Sequence, residues 1–274
     1  MPEGPEIARE ADRIREAVLG KPVERLHFGL PRLVRRGPAF RDCQVISVRS
    51  RGKALLTGFD NGLTLYTHNQ LYGRWFVRPA GSLPRTRRQL RVAIETRDRW
   101  ALLYSASEIA LLDEAGIALH PYLTRLGPDA LDPSLDLDKV SSQLESPEFF
   151  RRRLGALLLD QSFVAGLGNY LRSEISFEAR IHPIDRPQDL TSSERRRVAR
   201  AILKITRRAY ETGGITLAPS RFGAACRAGE RRSLARHWVF ARDGRPCRRC
   251  GSKIERLELA GRRVYVCHRC QPKA

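Results

Sequence analysis

The chain of 274 residues carries 50 lysines and arginines against 30 aspartates and glutamates, a formal net charge of +20. An excess of this size favours a polyanionic partner, with nucleic acid as the first candidate and an anionic membrane surface as the alternative. The sequence shows neither an apolar run of about 18 residues nor a signal-type segment at its start, so we expect no membrane span.

The first residues combine an N-terminal amine with two carboxylates. We expect Met1 to be removed because Pro2 has a small side chain, which leaves a secondary α-amine. Such amines titrate near pH ~7.7–8, so a neutral fraction can attack a carbonyl carbon and form a Schiff base. Glu3 and Glu6 place proton donors or acceptors beside this amine. Taken alone, the string suits an ordinary helix entry better, because proline and glutamate are common in first helical turns.

The N-terminal half combines one helix with many short strands. Apolar residues at helical spacing from Ile7 to Val18 predict an amphipathic helix over residues 5–19. Short β-rich runs follow, separated by turn signals such as Asp60-Asn61-Gly62, and their density indicates a sandwich or a barrel. A connector rich in proline and aspartate, at residues 127–133, marks the first domain boundary.

The second half is predicted to be largely helical. Apolar residues on one face predict a helix from Pro147 to Leu159, and a Gly166-Leu167-Gly168 turn leads into another that begins at Asn169. The capping-box spacing of residues 191–194 opens a third helix. The pattern then fades over residues 213–236, which we interpret as a mobile, arginine-rich loop.

Four cysteines near the C-terminus predict a metal site. Cys247, Cys250, Cys267 and Cys270 follow the C-x2-C-x16-C-x2-C pattern of a four-cysteine zinc site. Four thiolates leave no open position, so the predicted Zn²⁺ is structural. The residues between the two pairs predict a β-hairpin that turns at residues 260–261. Cys43 and Cys226 do not fit the pattern, and we interpret both as ordinary thiols.

Two features suit DNA phosphates. The zinc-stiffened hairpin carries Arg262 and Arg263 at its turn. The glycine turn before Asn169 predicts a second anion site, made of exposed backbone N–H groups and the asparagine side chain. Together with the net charge, they favour a nucleic-acid partner.

Several motifs together resemble one protein family. They are the N-terminal Pro-Glu-Gly-Pro-Glu, the Arg51-Gly52-Lys53 turn, the segment from Asp160-Gln161 to Asn169-Tyr170-Leu171, and the four-cysteine ribbon. This set resembles the formamidopyrimidine-DNA glycosylase family over nearly the whole chain. The stretch His68-Asn69-Gln70-Leu71-Tyr72-Gly73 is similar to the branch associated with oxidised pyrimidines such as thymine glycol. Residues 215–236 depart from the family pattern, being longer and richer in arginine.

The resemblance implies an α+β multidomain fold in three parts. These are an N-terminal β-sandwich catalytic domain with a leading helix at residues 1–126, a helix–two-turn–helix domain at 127–236, and a zinc ribbon at 237–274. It implies a bifunctional DNA glycosylase and AP lyase of base excision repair, which acts by β- and δ-elimination on duplex DNA with oxidised bases or abasic sites. We expect a monomer in the bacterial cytosol or nucleoid.

By matched position, the resemblance also implies residue roles. It makes Pro2 the nucleophile, Glu3 the acid or base beside it, and Glu6 a supporting carboxylate. It associates Lys53 with β-elimination and Arg262 with δ-elimination and phosphate binding. It implies DNA contacts from Gln70, Leu71, Tyr72, Arg125 and Asn169, of which the first three would fill the gap left by an extruded nucleotide.

Alternatives remain open from the residues alone. Lys53 could be a surface hairpin lysine, Arg125 could be a connector charge, and Arg263 competes with its neighbour Arg262. One rival function is a zinc-ribbon DNA-binding protein without catalysis, which leaves the N-terminal string and Lys53 without a role. The other is a family member that prefers oxidised purines.

Overall fold

The structure, a computed structural model, describes residues 2–274, so the expected removal of Met1 lies outside the described residues. The chain divides into two compact units. Unit 1 contains Pro2 and residues 6–125, and unit 2 contains residues 3–5 and 126–274. The three predicted domain ranges stay a prediction.

Nine α-helices and ten strands are found in residues 2–274. The helices are α1 (Gly4–Val18), α2 (Pro31–Val34), α3 (Glu114–Leu119), α4 (Leu137–Glu145), α5 (Leu154–Leu157), α6 (Asn169–Ala179), α7 (Ser192–Thr212), α8 (Pro219–Arg227) and α9 (Arg232–Ala235). The strands are β1 (Arg25–Phe28), β2 (Val45–Arg51), β3 (Ala54–Phe59), β4 (Thr64–His68), β5 (Arg74–Pro79), β6 (Leu90–Glu95), β7 (Arg99–Tyr104), β8 (Glu108–Leu112), β9 (Glu255–Leu259) and β10 (Arg262–Val266).

Unit 1 is built on two antiparallel sheets of four strands each. Their orders are β1-β6-β7-β5 and β2-β3-β4-β8. Both sheets contribute to one apolar core, from the first Leu26, Val92 and Leu103, and from the second Val48, Leu55 and Leu65. Because alternate side chains of a strand point to opposite faces, one face of each sheet is buried in this core. The predicted sandwich is confirmed.

The leading helix packs on the same core. Ile7, Ile14 and Val18 of α1 are buried in it. The spacing of these residues places them on one helical face, as the sequence pattern predicts. The helix begins at Gly4, one residue before the predicted start.

Unit 2 contains a helical core and a two-stranded ribbon. Apolar residues of α4 to α7 share one buried cluster, which includes Val140, Leu157, Leu171, Ile175 and Ile202. The predicted capping box is present at the start of α7, where Glu194 N–H donates to Thr191 Oγ1 and Thr191 N–H donates to Glu194 Oε2. The ribbon pairs β9 with β10 antiparallel, with Leu259 opposite Arg262 across the predicted turn.

The helix predicted from Pro147 to Leu159 is wrong for most of its length. Only Leu154–Leu157 is α-helical, and turns precede it. The N–H groups of Leu154 and Gly155 donate to the carbonyls of Asp185 and Pro183, at 2.8 and 2.7 Å. These bonds to a segment that follows α6 replace the helical pairing that the apolar pattern predicts.

The mobile loop predicted over residues 213–236 contains two short helices, α8 and α9. Glu230 accepts hydrogen bonds from Arg242 and Arg248, each at 2.6 Å. The guanidinium of Arg221 lies 5.3 Å from the ring centre of Trp238. These contacts connect residues 213–236 to the residues that lead into the ribbon. A local sequence pattern cannot predict them.

Among residues 2–274, no helix combines the length and apolar character needed to cross a bilayer.

Candidate active site and metal centre

Glu3 is buried at the start of α6. It is 3% exposed. Tyr170 N–H donates to Glu3 Oε1 at 2.8 Å, and Leu171 N–H donates to Oε2 at 3.2 Å. The first N–H groups of a helix lack intrahelical acceptors, and the helix dipole favours negative charge there. Gly4 N–H adds a bond to the Gly166 carbonyl at 2.7 Å. The carboxylate next in the chain to Pro2 is therefore fixed at both oxygens.

The close approach of Glu3 requires glycine at position 168. A Cβ added to Gly168 would lie 2.3 Å from Glu3 Cδ, far inside van der Waals contact. This corrects the prediction of an open anion site at the glycine turn. The N–H groups of Tyr170 and Leu171 bind the chain's own carboxylate, since Glu3 reaches them from 167 positions away.

Asn169 and the ribbon turn are brought together by a buried arginine. Arg172 of α6 is fully buried. Its guanidinium donates to Asn169 Oδ1 at 2.8 Å and to carbonyl oxygens of the ribbon, those of Leu259, Arg262 and Arg263, at 3.0 to 3.1 Å. The asparagine amide group therefore accepts from Arg172 through its oxygen, which leaves its NH₂ end as the donor.

Arg262 and Arg263 are neighbours at the start of β10, and both are exposed. Successive strand residues point to opposite faces, so their side chains diverge. Burial lowers the pKa of Arg172 to about 10, the nearby positive charge of Arg262 adds to this, and Glu3 opposes it. Arg262 is thus the ribbon arginine whose charge acts on the α6 start.

Lys53 follows β2 in the turn that leads to β3. The residue is 6% exposed, so it is not the surface hairpin lysine that the residues alone allowed. Its backbone N–H donates to Tyr122 Oη at 2.9 Å. Burial lowers the pKa of His68, the charge of Lys53 lowers it further, and Glu108 opposes both. The charge of Lys53 therefore acts on the end of β4.

Residues 69–73 form a loop between β4 and β5, which we call the wedge loop. Leu71 and Tyr72 are 65% and 69% exposed, so neither side chain is part of the core. Gln70 adopts a left-handed backbone with φ of 48°. Its Nε2 donates to Glu108 Oε2 at 2.8 Å, and its Oε1 accepts from Ser107 Oγ at 3.0 Å. Two bonds therefore set which end of the amide faces which way.

The remaining predicted residues lie closer to the surface. Pro2 is half-buried, and Glu6 is half-buried on the first turn of α1. Arg125 is exposed at the end of unit 1, and its Nε donates to the Pro121 carbonyl at 2.7 Å. Within unit 2, Glu3, Asn169 and Arg262 are gathered around α6, whereas Lys53 and the wedge loop belong to unit 1.

The four predicted cysteines meet in the ribbon. All four sulfur atoms lie within 4.8 Å of one another, with Cys247 and Cys270 at 3.9 Å and Cys250 and Cys267 at 3.4 Å. Tetrahedral Zn–S bonds of about 2.3 Å place sulfur atoms about 3.8 Å apart, so the cluster fits a zinc ion. Because all four positions would be filled by thiolates, the zinc is structural.

Sequence reasoning missed Arg172, Glu108 and Glu10. Arg172 could not have been singled out from the sequence, because α6 also carries Glu174 and Glu178 and only the structure shows which charges are buried. Glu108 and Glu10 carry no distinctive signal either, since each is a single glutamate among ordinary polar and apolar neighbours.

Comparison with known proteins agrees with this geometry. The N-terminal domain of formamidopyrimidine-DNA glycosylase matches residues 1–107, its H2TH domain matches residues 126–220, and the zinc finger found in FPG and IleRS matches residues 244–273. The chain is 46% identical to "Endonuclease 8" of Escherichia coli O17:K52:H18 and 45% identical to that of Shigella sonnei, each over 99% of this chain and 100% of the relative.

Solved structures share the fold. MutM (Fpg) from Thermus thermophilus matches with a TM-score of 0.78 and 29% identity, covering both chains completely. Lactococcus lactis Fpg in complex with DNA containing N7-benzyl-Fapy-dG matches with a TM-score of 0.80 and 22% identity, over 99% of this chain and 100% of that one. The predicted fold class and zinc are confirmed. On these matches, the chain belongs to the formamidopyrimidine-DNA glycosylase family and is a bifunctional DNA glycosylase and AP lyase of base excision repair.

Proposed function

We propose that the chain excises oxidised pyrimidines from duplex DNA through a Schiff base on Pro2, followed by β- and δ-elimination. The observation that carries this proposal is the fixing of Glu3 by two N–H groups at the start of α6. Since consecutive Cα atoms are about 3.8 Å apart, an anchored Glu3 restricts the position of the preceding amine. Holding an amine and a carboxylate in place is how an active site gains rate by proximity.

In the proposed first step, the neutral amine of Pro2 attacks C1′ of the damaged nucleotide while an acid helps to open the sugar, and the base leaves. We assign Glu3 to proton transfer at this step, and Glu6 to a supporting role. The product is an iminium ion joined to the proline nitrogen, which is positively charged because the amine is secondary.

The iminium acidifies the C2′ hydrogens, so removal of one of them expels the 3′ phosphate. We assign Lys53 to this β-elimination, and its burial in unit 1 supports a defined position for its amine. A second elimination expels the 5′ phosphate and leaves a gap. We assign Arg262 to this step and to phosphate binding, supported by its charge acting on Arg172 beside Asn169. Zinc takes no part in bond breaking.

The wedge loop supports an extruded nucleotide. Enzymes of this kind flip the target nucleotide out of the stack at a cost of a few kcal/mol. The exposed Leu71 and Tyr72 provide an apolar wedge and a stacking face for the gap. The oriented amide of Gln70 can pair with the orphaned base, while Asn169 and Arg125 offer donors to the DNA backbone.

The preference for pyrimidines rests on the similarity to proteins named Endonuclease 8 and on the Gln70-Leu71-Tyr72 triplet. The partner we propose is duplex DNA with oxidised bases or abasic sites. We also propose that the enzyme acts as a monomer in the bacterial cytosol or nucleoid.

Borohydride trapping tests the proposal. The processed chain is reacted with a duplex that contains thymine glycol opposite adenine, and the adduct is mapped by peptide mass. We expect the adduct at Pro2, and sharply less trapping when an N-terminal tag blocks the amine. Equal trapping by the tagged and processed chains would place the nucleophile elsewhere, with Lys53 next to be examined. Faster excision of 8-oxoguanine opposite cytosine than of thymine glycol would instead support a purine-preferring enzyme.

A further inference from the structure

Glu10 of α1 makes a short hydrogen bond that the proposed chemistry does not use. Asn69 Nδ2 donates to Glu10 Oε2 at 2.6 Å. The two residues are 59 positions apart, and both belong to unit 1. Glu10 is half-buried, whereas Asn69 is 3% exposed. The bond joins the helix that follows the proposed nucleophile to the first residue of the wedge loop.

Asn69 also closes the wedge loop. Its carbonyl accepts a bond from Gly73 N–H at 2.7 Å, so the two ends of the loop meet there. A Cβ on Gly73 would lie 2.6 Å from Asn69 Cα, which shows how tightly the two backbones pack. Leu71 and Tyr72 project from this closed base into solvent. A contact that fixes Asn69 therefore also fixes the two ends of the wedge loop.

The surroundings of Glu10 are mixed in charge. Arg13 and Glu6 face it from α1, and Arg74 faces it from β5. The pKa of Glu10 is raised to about 7, mainly by burial. The charge of Glu6 also raises it, whereas the Asn69 bond and the charges of Arg13 and Arg74 lower it. A carboxyl group with this pKa changes charge close to neutral pH.

We propose that Glu10 is a positioning residue that fixes the wedge loop to α1, so that the loop keeps its position when Leu71 and Tyr72 contact stacked bases. This inference rests on the proposed role of the wedge loop. It predicts a larger effect on removal of a stacked, damaged base than on cleavage at an abasic site, where less must be unstacked.

The bond should strengthen when Glu10 is ionised. A hydrogen bond to a charged acceptor is stronger than one to a neutral acceptor. Since the Asn69 bond lowers the pKa of Glu10, reciprocity requires that the ionised carboxylate hold Asn69 more tightly than the neutral acid does. The wedge loop should therefore be held best above pH 7, and release of Asn69 should favour uptake of a proton.

The test compares two reactions of the full-length enzyme under single-turnover conditions: excision of thymine glycol from a duplex, and cleavage of the same duplex with a preformed abasic site. The variants are Glu10→Ala, Glu10→Gln and, as a matched control, Glu16→Ala, which changes an exposed glutamate on the same helix. We expect Glu10→Ala to slow excision about tenfold, as loss of a charged hydrogen bond implies, while abasic cleavage and Glu16→Ala change less than about twofold.

The pH profile separates positioning from a loss of folding. In the wild-type chain, the ratio of excision to abasic cleavage should rise as the pH increases through about 7, and in Glu10→Gln that ratio should stay flat. The ratio cancels the titration of Pro2, which both reactions share. If Glu10→Ala fails to fold, the Glu10→Gln profile alone decides.

The inference is overturned if Glu10→Ala behaves like Glu16→Ala, or if Glu10→Gln keeps the wild-type rise. A wild-type chain that excises no oxidised pyrimidine contradicts the proposed substrate instead. The same comparison is then made with 8-oxoguanine opposite cytosine. The inference is overturned there by the same results for Glu10→Ala or Glu10→Gln.

Discussion

The wedge loop connects β4 and β5, which belong to different sheets, whereas the ribbon turn connects the paired antiparallel strands β9 and β10. The two connections are held by different kinds of contact. The wedge loop is held through side chains, with the Asn69 amide bound to Glu10 and the Gln70 amide bound to Glu108. The ribbon turn is held through main-chain carbonyls, which accept hydrogen bonds from the guanidinium of Arg172. Each turn has a left-handed residue, Gln70 with φ of 48° and Ala260 with φ of 54°.

The two sets of hydrogen bonds differ in whether protonation near neutral pH can weaken them. The pKa of Glu10 is about 7, so its charge varies near neutral pH. The pKa of Arg172 is lowered to about 10 by burial and still leaves the guanidinium charged there. Because Arg172 donates to main-chain carbonyls, these hydrogen bonds also do not depend on which side chains occupy positions 262 and 263. Contacts that stay constant with pH suit the phosphate binding proposed for the ribbon turn, and contacts that vary with pH suit the entry into a base stack proposed for the wedge loop.

Removal of the zinc should give the largest effect on the ribbon side of this comparison. Cys250→Ala breaks the four-thiolate cluster, and structural zinc contributes about 10–16 kcal/mol of apparent binding free energy in small zinc domains. We expect zinc content to fall and DNA affinity to drop more than about a hundredfold, while the two β-sheets of unit 1 persist. Metal analysis, fluorescence anisotropy and circular dichroism measure these. Cys226→Ala, which changes a half-buried thiol outside the cluster, is the control.

Loss of Arg172 should be the next largest effect. Arg172→Met keeps much of the volume but leaves three ribbon carbonyls without their donor. We expect a loss of about 3 kcal/mol in the free energy of unfolding and about tenfold weaker DNA binding, with zinc still bound. Arg200→Ala, on the exposed face of α7, should cost less than about 0.5 kcal/mol. An Arg172→Met variant with wild-type DNA affinity would show that the ribbon turn holds its place without this grip.

The wedge itself should matter for activity and little for stability. Leu71 is 65% exposed, so Leu71→Ala should change the free energy of unfolding by less than about 0.5 kcal/mol. We expect excision of thymine glycol to slow about tenfold and abasic cleavage to change less than about twofold, because only the first requires unstacking. Leu83→Ala removes a leucine of similar exposure, 61%, elsewhere in unit 1. Equal losses in both reactions would argue against a wedge.

The pH dependence of stability should be the smallest effect. The folded-state pKa of Glu10 is raised from 4.5 to about 7, so its protonated form is favoured by folding. This stabilisation is fully present below the unfolded pKa and is lost as the pH rises towards 7. Relative to Glu10→Gln, the wild-type free energy of unfolding should fall by about 1–2 kcal/mol over that range, reduced by partial solvation of a half-buried carboxyl. Urea titrations at several pH values measure it, and no relative fall would contradict the assigned pKa.

Much of the fold followed from local patterns. The β-rich runs of β2, β3, β4, β6 and β7, the apolar face of α1 and the capping box of α7 were predictable because each depends on residues close in sequence. The zinc ligands were predictable because their spacing matches that of four-cysteine zinc sites. The failures at residues 147–159 and 213–236 have a common cause. In both, contacts with residues outside the segment hold the chain, and a local pattern does not contain those partners.

The sequence by itself determined the family, the zinc cluster and the identity of Glu3, Lys53 and the wedge residues as candidates. Only the tertiary structure decided what holds them. Glu3 fills the helix start that the glycine turn alone suggested was open, and Arg172 grips a ribbon turn about 90 positions away. Glu10 reaches Asn69 across 59 positions. A local pattern records the propensity of a segment, whereas the partner of a buried charge is set by which segments the fold brings within hydrogen-bond distance.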